Sequence, residues 1–193
     1  MRPRPAAALL LPLLLILVPG NGIEAGRKDP YIEGDRLEFA FDDLDGRPVR
    51  SSDSRFEGKV LLVDLWGTWC APCLSEIPTF VDLQERLGDE GLVIVGVAFE
   101  GEEEQEEEAQ KRRAYLKEFV AEHGINYLVL DGRAPRDSDE ALPGLKNVRG
   151  FPVEILVGRD GRVVDIRNGY GYKKRWAREL ERELTELLQA PAP

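Results

Sequence analysis

The chain has 193 residues, 42% hydrophobic and 32% charged, with 3 Trp, 5 Tyr and 7 Phe. This is enough apolar material for one real core and excludes whole-chain disorder and collagen-like architecture. A net charge of −10 gives no basic footprint for a phosphate backbone, so nucleic-acid binding is excluded as a first reading.

Arg2 and Arg4 precede an uncharged run from Ala6 to Val18, which Pro19, Gly20, Asn21 and Gly22 break. Thirteen residues are too few for the roughly 20 that span a bilayer as a helix. The basic start, short apolar run and small residues predict a secretory signal over 1–22; an uncleaved anchor is the alternative. The rest of the protein is then expected outside the cytoplasm, in the periplasm or secreted, where thiols meet no glutathione pool.

One domain is expected over 35–188. Leu37, Phe39 and Phe41 alternate with polar residues as in a half-buried strand, and Asp45-Gly46 turns into a second short strand near Val49. Val60 to Leu65 reads as a buried central strand with one acid, Asp64, inside it. Cys73, Ile77, Phe80, Leu83 and Leu87 follow a helical period closed by Gly88, with Pro78 expected to kink the helix. Leu92 to Ala98 is a second buried strand, and the strand–helix–strand order predicts a right-handed crossover and a parallel pair.

The acidic run Glu102 to Glu108 reads as a solvated helix start, supported by the pairs Glu107–Lys111 and Glu108–Arg112. Tyr115, Leu116, Phe119 and Val120 are expected on the buried side of that helix; His123 sits at its end before Gly124. Tyr127 to Leu130 is a short strand. Val153–Val157 and Val163–Ile166 form an antiparallel hairpin around Arg159-Asp160-Gly161. Trp176, Leu180, Leu184, Leu187 and Leu188 mark an amphipathic closing helix. The expected class is α/β: a central mixed sheet flanked by helices, with an extra N-terminal strand pair.

The chemistry concentrates in Trp69-Cys70-Ala71-Pro72-Cys73, between the end of a buried strand and the start of a helix. Active sites of open α/β sheets lie there. The two-residue spacing brings both sulfurs to the first helical turn, close enough to form or release a disulfide. Cys70 falls where free N–H groups stabilise a thiolate; Cys73, one turn in, is expected to be more buried and to resolve the mixed disulfide that Cys70 makes. Pro72 needs no N–H donor partner in a first turn and stiffens the loop. An inert disulfide, half a metal site and a haem-attachment site are the other readings. Haem attachment needs a histidine after the second cysteine, where Leu74 stands. Metal lacks partners: Cys70, Cys73 and His123 are one ligand short of a closed site, so no metal is expected. A metal chaperone is weakened by the same shortage of histidine and by Met1 being the only methionine.

Asp64 to Cys73 (DLWGTWCAPC) resembles the active-site segment of the thioredoxin superfamily, and more narrowly the extracytoplasmic TlpA/ResA-like thiol–disulfide oxidoreductases of bacteria. The likeness runs from about Leu37 to Leu188 and includes Gly58-Lys59-Val60, Glu76, Pro78 and Gly150-Phe151-Pro152. It implies a thioredoxin-like fold and a catalytic set of Cys70, Cys73 and Asp64. Pro152 is implied to be a cis-proline facing the cysteines, with the backbone at Phe151 pairing with substrate. Asp64 lies six residues before Cys70, matching the buried acid of thioredoxin, and is expected to take the proton from Cys73. A structural acid is the other reading of Asp64. Glu100 either stands beside the cysteines or begins the solvated acidic run. Of Trp66 and Trp69, one is expected to form an apolar platform for a protein substrate (Trp69 is the substrate-binding candidate) and at least one to be core. Val153 after Pro152, where relatives often carry threonine, and the long loop Asp131–Leu145 depart from the pattern.

The expected function is a thiol–disulfide oxidoreductase acting on protein disulfides, needing no cofactor. A reductant is favoured, because Ala71-Pro72 places no positive histidine beside Cys70. The resemblance adds a membrane dithiol as electron donor, and cytochrome c maturation or general disulfide reduction as the role. A monomer is expected, in contact with membrane only if the N-terminal segment stays uncleaved. The alternatives are a non-catalytic interaction module and a thiol peroxidase. The peroxidase motif needs Thr three before and Pro seven before its cysteine, where Gly67 and Val63 stand.

Overall fold

Every residue of the strand Val60–Trp66 (β3) is buried, which requires cover on both faces of its sheet. The structure, a computed structural model, describes residues 35–101, 106–132, 142, 150–168 and 173–191. The expected signal at 1–22 and most of the loop Asp131–Leu145 lie outside those residues.

Seven strands among the described residues form one sheet. They are β1 (Ala40–Asp43), β2 (Pro48–Arg50), β3, β4 (Leu92–Ala98), β5 (Leu128–Asp131), β6 (Val153–Val157) and β7 (Val163–Asn168), in the order β2-β1-β5-β4-β3-β6-β7. β3, β4 and β5 run parallel and the remaining neighbours antiparallel, so the sheet is mixed, as expected. Parallel neighbours need long crossovers. Two helices, α1 (Ala71–Leu74) and α2 (Ile77–Leu87), supply the first, and α3 (Glu106–Glu122) supplies the second. The closing helix is α4 (Lys173–Gln189).

The pleat sorts β3 onto two cores. Val60, Leu62 and Trp66 pack with Cys70, Cys73, Phe80 and the Trp176–Leu180–Leu184 stripe of α4. Leu61, Val63 and Leu65 face the other way, onto Phe39, Phe41, Val95 and Ile155. Each such side chain contributes about 1.5–3 kcal/mol through burial. Arg159, in the turn between β6 and β7, donates to the carbonyls of Gly58, Glu90 and Leu188, binding the entry of β3, the turn before β4 and the end of α4 together.

Three details differ from the sequence reading. The helix after the cysteines is not one kinked helix but two short ones, broken at Ser75-Glu76; Pro78 sits in the first turn of α2, where it removes no hydrogen bond. Tyr115 is not on the buried side of α3: it is 49% exposed and donates its hydroxyl hydrogen bond to Thr68 Oγ1 at 3.1 Å. Arg112 points inward. Its guanidinium grips both carboxylate oxygens of Asp131 at 2.7 and 3.0 Å, while Lys111 pairs with Glu107 and Glu108. Helical spacing alone does not show which cation of the run Lys111-Arg112-Arg113 faces the sheet. His123 ends α3 as expected, stacked on Phe119 with Nδ1 3.0 Å from its carbonyl oxygen.

Candidate active site

Cys70 and Cys73 are joined as a disulfide at the carboxyl end of β3, with Cα atoms 5.3 Å apart. Cys70 is the N-cap of α1, and its Sγ accepts a hydrogen bond from the Cys73 backbone N–H at 3.3 Å. In the reduced protein the same N–H would donate to a thiolate, a charge-assisted bond that stabilises it. Because α1 is only four residues long, this local donor outweighs any macrodipole. Cys73 is 1% exposed against 5% for Cys70, the expected order.

The two tryptophans divide as anticipated. Trp66 is wholly buried against Phe119, in the space left by the missing side chain of Gly96. Trp69 is 58% exposed, pinned by its indole N–H to the Phe99 carbonyl at 2.9 Å. Its ring meets Phe151 edge-on at 5.4 Å, and Phe151 lies 5.4 Å from Phe99. Trp69 and Phe151 therefore form an aromatic ledge at the cysteine loop. The Phe151–Pro152 peptide is cis, as the family resemblance implied, and Gly150 before it holds a φ of 151° that only glycine adopts readily. Glu100 is half-buried, and its carboxylate accepts the Thr68 backbone N–H, two residues before Cys70.

Beneath the loop lies a feature that sequence reasoning only partly found. Asp64, Glu76 and Glu154 are all buried, and Asp64 Oδ1, both Glu76 carboxyl oxygens and Glu154 Oε2 find no hydrogen-bond partner among the described residues. Burial first, and then the charge of Glu154, push the Asp64 carboxyl well above its usual range. Burial, Asp64 and Glu154 push Glu76 up to about 9. Glu154 is raised to about 7 by burial, held back by the Trp176 indole and Arg167. Tyr127, buried beside Asp64 and Glu76, is raised for the same reasons. An acid inside an apolar strand marks Asp64 in the sequence, and Glu154, inside Val153–Val157, carries the same mark.

This cluster has a measurable consequence for folding. A carboxyl raised in the folded state binds its proton more tightly there than in the unfolded chain, so stability is present at low pH and is lost as pH rises toward the folded value. For Glu76, neutrality lies about 2.5 pH units above the ordinary value, a loss of about 3 kcal/mol at pH 7. Glu76→Gln is expected to stabilise the oxidised protein by about 2–3 kcal/mol at pH 7 and by almost nothing at pH 4. Guanidinium unfolding at the two pH values checks this; a gap that does not change with pH refutes it.

The AhpC/TSA family model matches residues 34–165. Thiol-disulfide oxidoreductase ResA of Bacillus subtilis (strain 168) is 25% identical over 149 residues, 77% of this chain and 74% of that protein. Among solved structures, a thiol:disulfide interchange protein of the thioredoxin family from Chlorobium tepidum TLS superposes with a TM-score of 0.62 at 24% identity, covering 81% of this chain and 97% of its own. A secreted Mycobacterium tuberculosis disulfide oxidoreductase homologous to E. coli DsbE gives 0.56 at 20% identity, over 77% and 96%. These structures share the thioredoxin-like fold, with its mixed sheet between helices. The chain belongs to the AhpC/TSA family, and within it is a thiol–disulfide oxidoreductase resembling ResA.

Proposed function

We propose that this protein reduces disulfides of other proteins outside the cytoplasm, with Cys70 as nucleophile, Cys73 as resolving thiol and Asp64 as proton acceptor. The observation that carries the reading is the Cys70–Cys73 pair at the head of α1, with a buried acid behind it and an exposed aromatic ledge beside it. In the reducing direction the Cys70 thiolate attacks a substrate disulfide, forming a mixed disulfide and releasing one substrate thiolate. Asp64 takes the proton of Cys73, whose sulfur attacks Cys70 Sγ; the bond from Cys70 to substrate breaks and the second substrate thiolate leaves. Two electrons pass to the substrate, and the protein is left as the disulfide described here.

Trp69, Phe151 and Pro152 form the substrate surface, Pro72 stiffens the loop and Glu100 positions it. Direction follows from the loop: Ala71-Pro72 supplies no cation to stabilise the Cys70 thiolate strongly, which favours a reductant. A reductant in that compartment needs an outside electron source, for which a membrane dithiol is the proposed donor. General disulfide reduction and cytochrome c maturation are the two roles that the resemblance offers. The peroxidase alternative requires threonine at position 67, where a Cβ would lie 2.6 Å from the Trp69 indole nitrogen. Glycine there, packed under Trp69, supports disulfide exchange. The reduction potential, measured by equilibration in thiol buffers, tests direction: a value at or below about −250 mV is expected, and one near about −120 mV would make the protein an oxidant.

A further inference from the structure

Asp64 does not stand alone in its strand. In the antiparallel ladder of β3 with β6 it lies directly opposite Glu154. Opposite residues share a face of the sheet, with Cβ atoms about 4.5–5.5 Å apart. The face is the one that carries the cysteines: Leu62 and Trp66, two positions either side of Asp64, and Leu156, two beyond Glu154, all belong to the core of Cys70 and Cys73. Both carboxyls are buried, and each has an oxygen without a hydrogen-bond partner among the described residues. Two ionised carboxylates at this separation, away from water, repel strongly enough that one proton is retained between them. The parallel partner of Asp64 on the other side, Gly96, carries no side chain to compensate.

Glu154 differs from Asp64 in having an outlet. Its Oε1 accepts the Trp176 indole N–H at 2.6 Å, which fixes the carboxyl from α4. Its Oε2 lies 3.9 Å from Arg167 Nη1, and the Arg167 side chain is partly exposed and bonded to Asp165 and Glu183. The other titratable groups that face the pair are Glu76, from the junction of α1 and α2, and Tyr127, ahead of β5.

We propose that Glu154 is a positioning residue for disulfide exchange: facing Asp64 across β3 and β6, it makes the proton acceptor one half of a buried carboxyl pair that shares a single proton and opens toward the surface at Arg167. The inference rests on the reading of Asp64 as proton acceptor and deepens it. In the exchange step the proton of Cys73 enters a pair, not an isolated acid. The pair therefore titrates in two steps that belong to both residues, and the upper step governs the resolving thiol.

The test is carboxyl-carbon NMR titration of the intact oxidised protein, run beside the pH profile of mixed-disulfide resolution. Glu154→Gln keeps the volume and a carbonyl oxygen for Trp176 but removes the charge. It is expected to leave Asp64 titrating in one step, moved down by about one pH unit or more, with the kinetic limb moving about tenfold with it. Arg167→Met, at the partly exposed end, leaves both acids in place and is expected to move the lower step up. If the Asp64 titration is unmoved by Glu154→Gln, and the two steps are unmoved by Arg167→Met, the pair does not exist and the inference is overturned. The underlying reading fails separately. If Asp64→Asn leaves the kinetic limb intact, Asp64 is not the acceptor, whatever the titrations show. A purely structural Glu154 would change the melting temperature in Glu154→Gln and leave the Asp64 titration where it was.

Discussion

Cys73→Ser is expected to accumulate covalent adducts joining Cys70 to substrate proteins, while Cys70→Ser abolishes exchange and forms none. The asymmetry follows from the placement of the two sulfurs. Cys70 is the outer one, capping α1 and accepting the Cys73 N–H, so it meets substrate first. Cys73 is sealed beneath it against the core of Trp66 and Phe80. Without Cys73 the mixed disulfide has no internal thiol to attack it, and release falls back on external thiols. Without Cys70 no nucleophile is presented, and insulin reduction falls to the uncatalysed rate. Non-reducing electrophoresis with mass spectrometry of trapped species reads both outcomes. Adducts formed equally by both variants would mean that the roles are reversed or shared.

Asp131→Ala is expected to be the most damaging substitution outside the cysteines. Asp131 ends β5, is buried, and pairs across the ladder with Asp42 of β1. Its charge is met by the bidentate clasp of Arg112 and by Arg113 at 3.6 Å. Removing one partner of a buried ion pair costs about 3–5 kcal/mol. In a domain of this size that lowers the melting temperature by about 6–20 °C. Calorimetry decides: a loss below about 1 kcal/mol for Asp131→Ala would show that solvent reaches the pair and screens it.

The strands were legible because burial on both faces leaves uninterrupted apolar runs, as in Val60–Trp66 and Leu92–Ala98. The cysteine loop was legible because its chemistry is local: the spacing of Cys70 and Cys73, and Pro72 between them, need no tertiary information. Pairings that depend on three-dimensional neighbours were not. Asp131 gave no hint that Arg112 would turn inward to meet it. Glu154 and Asp64 lie 90 residues apart in the chain, and only the β3–β6 register places them face to face. The apolar ring of Tyr115 fits the helical stripe, whereas its hydroxyl reaches Thr68 at the rim of the site, which the stripe cannot show.

The two outer strands carry a consequence for a protein whose proposed clients are chains with exposed sulfurs. An uncovered strand edge offers a row of N–H and C=O groups to any extended peptide, and unfolded clients are rich in such peptides. Here one margin, β2, is three residues long and bears Pro48 and the exposed Arg50. The other, β7, carries Asp165 and Arg167, and its ladder with β6 contains a register shift at Leu156–Val157. Both margins are blunted against adding a foreign strand. On the proposed reading, a client is thus turned away along the sides of the sheet and docks at the cysteine loop, which would let the protein handle aggregation-prone chains without becoming a template for them.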